Sequence, residues 1–362
     1  LYKKPSGVWI MAYTTIDDPT AYFQTKTYTG NGANNRAITF DGNSNLQPDW
    51  LWIKNRSESQ SHALFDSVRG ATLRFGTNSN GAESTENTNL DSFDSDGFTV
   101  DSELIVNGGS DLMVAWAWKA GTSFTNDASS TGIAGIDSAG SFNNTAGFSI
   151  VTYNGNAGNT TVKHGMNIAP KMVWLKRRDA GSTNWYIYHA SIGQGKRLVI
   201  NTTAAEAADT EYMDNTAPTT SVFSLGPSGT TNTTGNHIAY CFAEIKGYSK
   251  IGSYTGNGNN DGPFVYTGFK PAFVITKRTD ASGAWGLNDN KRPNYNPENL
   301  YLVPNDAQAE ASDGSWTMDL LSNGWKARYN NGNFNASGGS YIYMAFAENP
   351  FVTSTGVPTT AR

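Results

Sequence analysis

Cysteine is almost absent. Cys241 is the single one in 362 residues, so no disulfide can form within the chain. It lies in "HIAYCFAE", where a thiol among apolar neighbours reads as a small buried hydrophobe. Charge is scarce as well: charged residues make up 16% of the chain, the net charge is −5, and no segment is strongly basic. A phosphate-neutralising face, and with it a nucleic-acid partner, is not expected. No apolar run approaches the roughly 18–20 residues of a membrane-spanning helix, so no membrane insertion is expected. The opening "LYKKPSGVWI" lacks the apolar centre of a signal peptide. Met11 offers an alternative start, which would leave 1–10 as upstream residues. Helical signals are sparse, and "TAAEAADTEYM" (203–213) is the best short helix candidate.

Catalytic signatures are missing too. There is no Gly-x-Ser-x-Gly elbow, no His-Glu-x-x-His and no Glu-x-Asp-x-Glu strand. The four histidines, His62, His164, His189 and His237, follow no common pattern. The sequence points to no catalytic residue and no cofactor. A glycan-degrading enzyme would need two carboxylates assembled from distant positions.

Glycine (38), tyrosine (17), phenylalanine (17) and tryptophan (10) are abundant. Disordered chains are poor in aromatics, so this composition indicates a folded protein of short strands and tight turns.

The chain repeats itself three times. "YTGNG" stands at 28–32 and again at 254–258, with "YNGNA" at 153–157. "PDWLWIKNR" (48–56), "PKMVWLKRR" (170–178) and "PAFVITKRT" (271–279) each set a lysine six residues beyond a proline: Lys54, Lys176 and Lys277. Both faces of these runs are apolar, which predicts central strands buried on two sides, with the proline just ahead of the ladder. "HALFDSVRG" (62–70), "WYIYHASIG" (185–193) and "WGLNDNKRP" (285–293) match, as do the closing strands "VAWAWK", "IAYCFAE" and "YMAFAE".

These landmarks predict an all-β protein of three tandem diverged antiparallel β-sandwich units: 27–121, 147–248 and 249–351. Residues 1–26 form an N-terminal extension and 352–362 a C-terminal tail. The small, polar, Gly-rich stretch 122–146 reads as a flexible linker. The pentapeptides read as Asn-Gly hairpin turns, with a different, looser turn at 153–157, where the final Gly is lost.

Three sets of residues invite a functional reading. His62, Trp185 and Trp285 form one column of the repeat and could stack on sugar rings, although the aliphatic residue two positions on favours packing at a core edge. Asp91, Asp94 and Asp96 in "DSFDSDG" could hold calcium, although the matching turn in the third copy, "LLSNG", lacks them and favours a solvated turn. Asp66–Arg69 and Asp289–Arg292 read as structural ion pairs, with His189 and Ile192 in the middle copy.

Together "PDWLWIKNRS", "HALFDSVRGA", "YHASIG", "AYCFAE", "GSYTGNGNNDGPFVYTGF" and "YIYMAFAENPF" resemble repeat proteins of phages that infect marine bacteria. Those are labelled tail-fibre-like or virion structural proteins, and their repeats are similar to concanavalin-like jelly-roll lectin domains. The resemblance covers nearly all of 11–351. It implies a virion location, other virion proteins and host-surface glycans as partners, a homotrimer as the common assembly, and no catalysis. Three repeats would suit multivalent attachment, in which linked weak sites gain avidity. The carboxylate metal site of many lectins has no recurrent match here. A capsid-decorating or tail structural role is the alternative reading.

Overall fold

The computed structural model describes residues 2–3, 9–10, 12–293 and 295–360, the first two pairs by backbone alone. Met11 and most of 1–10 lie outside them, so the alternative start has no structural counterpart here.

Three large antiparallel sheets dominate. In the first unit the strand order is Phe23–Thr29, Leu112–Trp118, Trp50–Asn55, Ala63–Asp66, Gly70–Phe75, Ser84–Thr85. The second unit repeats it with Phe148–Gly155, Gly235–Phe242, Met172–Arg177, Tyr186–His189, Lys196–Val199 and Ala207–Ala208. The third has Ser249–Thr255, Ser340–Pro350, Phe269–Arg278 and Trp285–Asp289 in the same order. A small sheet covers the outer face of each, built on Gly97–Val100, on Thr160–Lys163 with Val222–Leu225, and on Gly324–Ala327. The protein is all-β and each unit is a two-layer antiparallel sandwich.

The two apolar faces of the central strands have different destinations. Side chains alternate along a strand. In the first unit Leu51 and Ile53 point outward and pack with Phe98 and Val100 of the small sheet. Trp50 and Trp52 point inward, into a core they share with Trp174 and Phe242 of the second unit and Phe273 and Phe346 of the third. The second and third units have their own outer cores around Val173 and Phe223, and around Val274 and Trp325. The sandwiches are therefore not beads on a string. Their large sheets close around one aromatic centre, where Trp118, Phe273 and Phe346 meet at ring separations of 5.4–6.2 Å.

The stretch 122–146 is not a linker. Thr122–Asn126 and Ser138–Asn143 form a hairpin that extends the second sheet beyond Phe148–Gly155 and makes it eight-stranded. Phe124, Ile136 and Phe142 pack against the outer core of that unit. An edge hairpin buries few side chains, so its composition looks like that of a linker. Nor is 203–213 a helix. Asp209 Oδ1 accepts from the amides of Glu211 and Tyr212, and Ala207–Ala208 pairs with Lys196–Arg197. These short polar bonds compete with helix formation. Pro271 lies inside its strand rather than ahead of it, at a point where the register with Ser340–Pro350 shifts. A bulge is where a strand tolerates proline.

Candidate functional site

The column His62, Trp185 and Trp285 is fully buried. Each side chain spans the seam between two units. Trp185 Nε1 donates to the Gly76 carbonyl at 3.1 Å, joining the second unit to the first. Trp285 Nε1 donates to Val199 at 3.1 Å, joining third to second. His62 accepts at Nδ1 from Trp52 Nε1, so its Nε2 donates to Val303 at 3.0 Å and joins first to third. The three contacts form a ring. No sugar can reach these rings, so the stacking reading gives way to a structural one. Burial pushes the His62 pKa down to about 3 and keeps the ring neutral.

A chain of charges bridges two of the three seams, although a smaller hollow of ≈ 230 Å³, with Gln24 and Asp41 on one side and Lys291 and Glu348 on the other, remains at the third–first one. At the first–second seam Arg69 pairs with the buried Asp66 at 2.5 Å and with Glu83 at 3.3 Å, and Arg178 grips Glu83 with two bonds of 3.0 Å. Tyr240 Oη donates to Asp66 at 2.7 Å. At the third–first seam Arg292 pairs with Asp289 and Glu310, Arg56 grips Glu310, and Trp116 Nε1 donates to Asp289 at 3.0 Å. The expected i,i+3 pairs exist and support the loops that follow them, with Asp66 accepting from the Arg69 amide and Asp289 from those of Lys291 and Arg292, and they are buried at the seams as well.

The second–third seam keeps the glutamate, as Glu206, and lacks the rest of the set. Strand register places His189 where the aspartates stand, Ile192 and Thr279 where the two arginines stand, and Met344 where Tyr240 or Trp116 donates. The backbone scaffold is kept: the amides of Glu83, Glu206 and Glu310 each donate to the facing carbonyl, of Arg178, Thr279 and Arg56, at 2.9 Å. His189 takes over part of the aspartate's work, accepting from the Ser191 amide at Nδ1 and donating to the Tyr343 carbonyl at 3.3 Å. With no arginine to bind, Glu206 turns to Lys196 at 2.5 Å.

A cleft of ≈ 380 Å³ opens at this seam. Ser191 and Ile192 of the second unit form one wall, and Ser253, Thr255, Ser340 and Ile342 of the third form the other. Lys196 and Glu206 stand at its rim, and the stacked Tyr254 and Tyr341 back it at 4.9 Å. The hollow beside the first–second seam, ≈ 460 Å³, has Arg178 in its wall and does not extend to Arg69 or Glu83. Hydroxyls interspersed with aliphatic side chains can bind a polyhydroxylated ligand by both its polar groups and its C–H faces.

The family model described as "Domain of unknown function (DUF7483)" matches residues 18–350. The chain belongs to the DUF7483 family. No curated protein and no solved structure matches it.

The remaining landmarks of this DUF7483 chain are architectural. Each pentapeptide carries the chain from the large sheet to the small one rather than making a hairpin. It is held by a buried asparagine from the unit's closing loop. Asn107 Oδ1 accepts from the Asn31 amide at 3.0 Å, Asn232 from Asn156 at 3.0 Å and Asn335 from Asn257 at 2.8 Å. The next residue is left-handed in all three: Gly32 at φ 65°, Ala157 at 58° and Gly258 at 68°. The altered middle copy thus makes the same turn and not a looser one.

The aspartate cluster is dispersed among turn contacts. Asp94 accepts from Ser92 and Thr99, Asp96 accepts from the Leu46 amide, and Asp91 is exposed. Among the described residues no three His, Cys, Asp or Glu side chains converge as metal ligands. The recurrent lysines are buried against carbonyls, Lys54 on Asn55, Lys176 on Thr183 and Lys277 on Arg278, and burial lowers each to about 8. Cys241 is buried, and burial pushes its thiol up to about 12, which suits a packing role.

The seam cleft was missed by the sequence reading, which sought recurrent residues. Its signal lay in four correlated departures, at 189, 192, 279 and 344.

Proposed function

We propose that this DUF7483 chain is a virion structural protein of the tail-fibre-like kind, an adhesin that binds host-surface glycan without catalysis. The observation that carries the reading is the hydroxyl-lined cleft at the second–third seam. One wall stands on the strands Ser249–Thr255 and Ser340–Pro350, and the other on the short turn that leaves Tyr186–His189, so the shared aromatic core holds both in place. The motif resemblance to phage repeat proteins supports the virion setting. Partners on this reading are host glycans and neighbouring virion proteins.

One observation favours the alternative, a structural protein that docks on other virion components. Phe264 and Tyr266, on the edge strand of the third small sheet, are 45% and 53% exposed. Exposed apolar side chains on a free edge suit a protein partner.

The test is binding of the purified chain to host cells and to a glycan array. Binding to both is expected. Binding to neither would remove the adhesin reading in favour of the structural one.

A further inference from the structure

We infer that the chain has one glycan site rather than three, and that it is the second–third seam cleft, which takes a neutral sugar. This inference rests on the adhesin reading and adds to it the site, the valence and the ligand class.

Three copies suggest three equal sites, but the seams are not equal. In two of them a buried aspartate, two arginines and a glutamate occupy the space between the sheets. In the third, Ile192 and Thr279 are too short to fill it, and both line the cleft. The departures form a consistent set. With isoleucine rather than arginine at 192, a buried carboxylate at 189 would lack its cation, and without a donor at 344 it would lack its hydrogen bond. An uncompensated buried charge is strongly destabilising. A neutral histidine and a methionine avoid both losses. A seam that loses the aspartate, both arginines and the donor together, yet keeps Glu206 and its backbone bond to Thr279, retains its geometry while it exposes a cavity.

The ligand class follows from the charges. Lys196 and Glu206 neutralise each other at 2.5 Å, and Arg278, which precedes the cleft residue Thr279, is held by Asp280 at 2.8 Å. The two arginines that would attract a uronic or sialic acid are the residues replaced. What remains is a set of hydroxyls from Ser191, Ser253, Thr255 and Ser340, with aliphatic contact from Ile192 and Ile342. A carboxylate gains nothing there that repays its desolvation. A neutral pyranose offers hydroxyls to the first group and C–H faces to the second.

The experiment rebuilds the missing charges. His189→Asp, Ile192→Arg, Thr279→Arg and Met344→Tyr together copy the first–second seam into the second–third one. The full chain and this variant are titrated by calorimetry with neutral gluco-, manno- and galacto-hexaoses and with a uronate hexaose. Ser253→Trp, which plugs the cleft from its wall, serves if the fourfold variant does not fold. The wild type is expected to bind a neutral hexaose at one site per chain, and either folded variant to bind at least tenfold more weakly. A stoichiometry of three, preference for the uronate, or undiminished binding by the folded variants would overturn the inference. So would failure of the neutral hexaoses when host cells are still bound, and that result would leave the adhesin reading standing. Failure to bind cells and array alike would remove the adhesin reading itself.

Discussion

Tyr240 of the second unit donates its hydroxyl hydrogen to Asp66 of the first at 2.7 Å, and the same carboxylate holds Arg69. All three side chains are buried. A buried charge pair contributes little net stability against an apolar replacement of the same shape, yet breaking it from one side is expensive. It adds a directional contact to a seam that Arg178–Glu83 and the Glu83 amide bond to the Arg178 carbonyl also bridge.

The first prediction follows from that asymmetry. Asp66→Ala removes the fully buried partner of Arg69, leaves it only Glu83 at 3.3 Å, and should lower the unfolding free energy by up to about 3–5 kcal/mol. Asp66→Leu combined with Arg69→Met removes both charges and should recover most of that loss. Asp289→Ala should behave like Asp66→Ala, because it leaves Arg292 only Glu310, as Asp66→Ala leaves Arg69 only Glu83. Urea unfolding of the wild type and these variants measures the differences. Equal loss in the single and double variants at 66 and 69 would contradict the argument.

The shared core predicts one cooperative transition. Residues 122–248 alone, the second unit with its edge hairpin, would expose Trp174, Trp185, Tyr240 and Phe242, all in the common centre. A patch of that size on an isolated domain favours association. The fragment should therefore bind a hydrophobic dye or aggregate. The full chain should unfold in a single step, seen alike by tryptophan fluorescence and far-ultraviolet circular dichroism. A soluble fragment with a sharp melt of its own would mean that the units are independent after all.

Much of this architecture is legible in the sequence. "WLWIKN" and its counterparts show central strands because both faces are apolar, and the structure buries both. What pairs each face with what is not legible, since a strand between two layers of one domain reads the same as a strand between its own domain and a neighbour. Trp185 and Trp285 illustrate the ambiguity: their indole nitrogens need carbonyl acceptors, and those lie on a different unit each time. The hairpin Thr122–Asn126 and Ser138–Asn143 was hidden by its polarity, because an edge pair in solvent has little to bury. The cleft was hidden because it is written in differences between copies, and a search for repeats discards differences.

Ala157 provides a local test. It holds φ 58°, a left-handed conformation in which a side chain costs about 1–2 kcal/mol. Its amide donates to the Asn232 carbonyl at 2.6 Å, so the turn is fixed by the asparagine rather than by the residue. Ala157→Gly should stabilise the protein by about 0.5–1 kcal/mol, less than the strain relieved because glycine also loosens the unfolded chain. Gly258→Ala should destabilise by at least about 1–2 kcal/mol on the same scale, because its new Cβ would also sit 2.8 Å from that of Ser337. Thermal melting of both variants checks the two signs.

Acid should unfold the protein earlier than its carboxylates alone would dictate. Burial depresses His62 to about 3 and His164, His189 and His237 to about 4, against 6.5 for a free histidine. Between pH 6.5 and 4 the unfolded chain therefore binds more protons than the folded one, so stability falls as pH falls. Well below 6.5 each buried histidine contributes a slope of about 1.4 kcal/mol per pH unit. With four of them, the melting temperature should drop steeply from pH 6 to pH 4.5, before most carboxylates protonate. Replacing His164 by glutamine should make the drop shallower by about a quarter of the histidine contribution. That position is the most informative because His164 Nε2 meets the Thr219 carbonyl of its own unit, at 3.2 Å, and takes no part in the seams. A melting temperature that stays flat to pH 4.5 would mean that the histidines titrate in the folded state and are not buried as described.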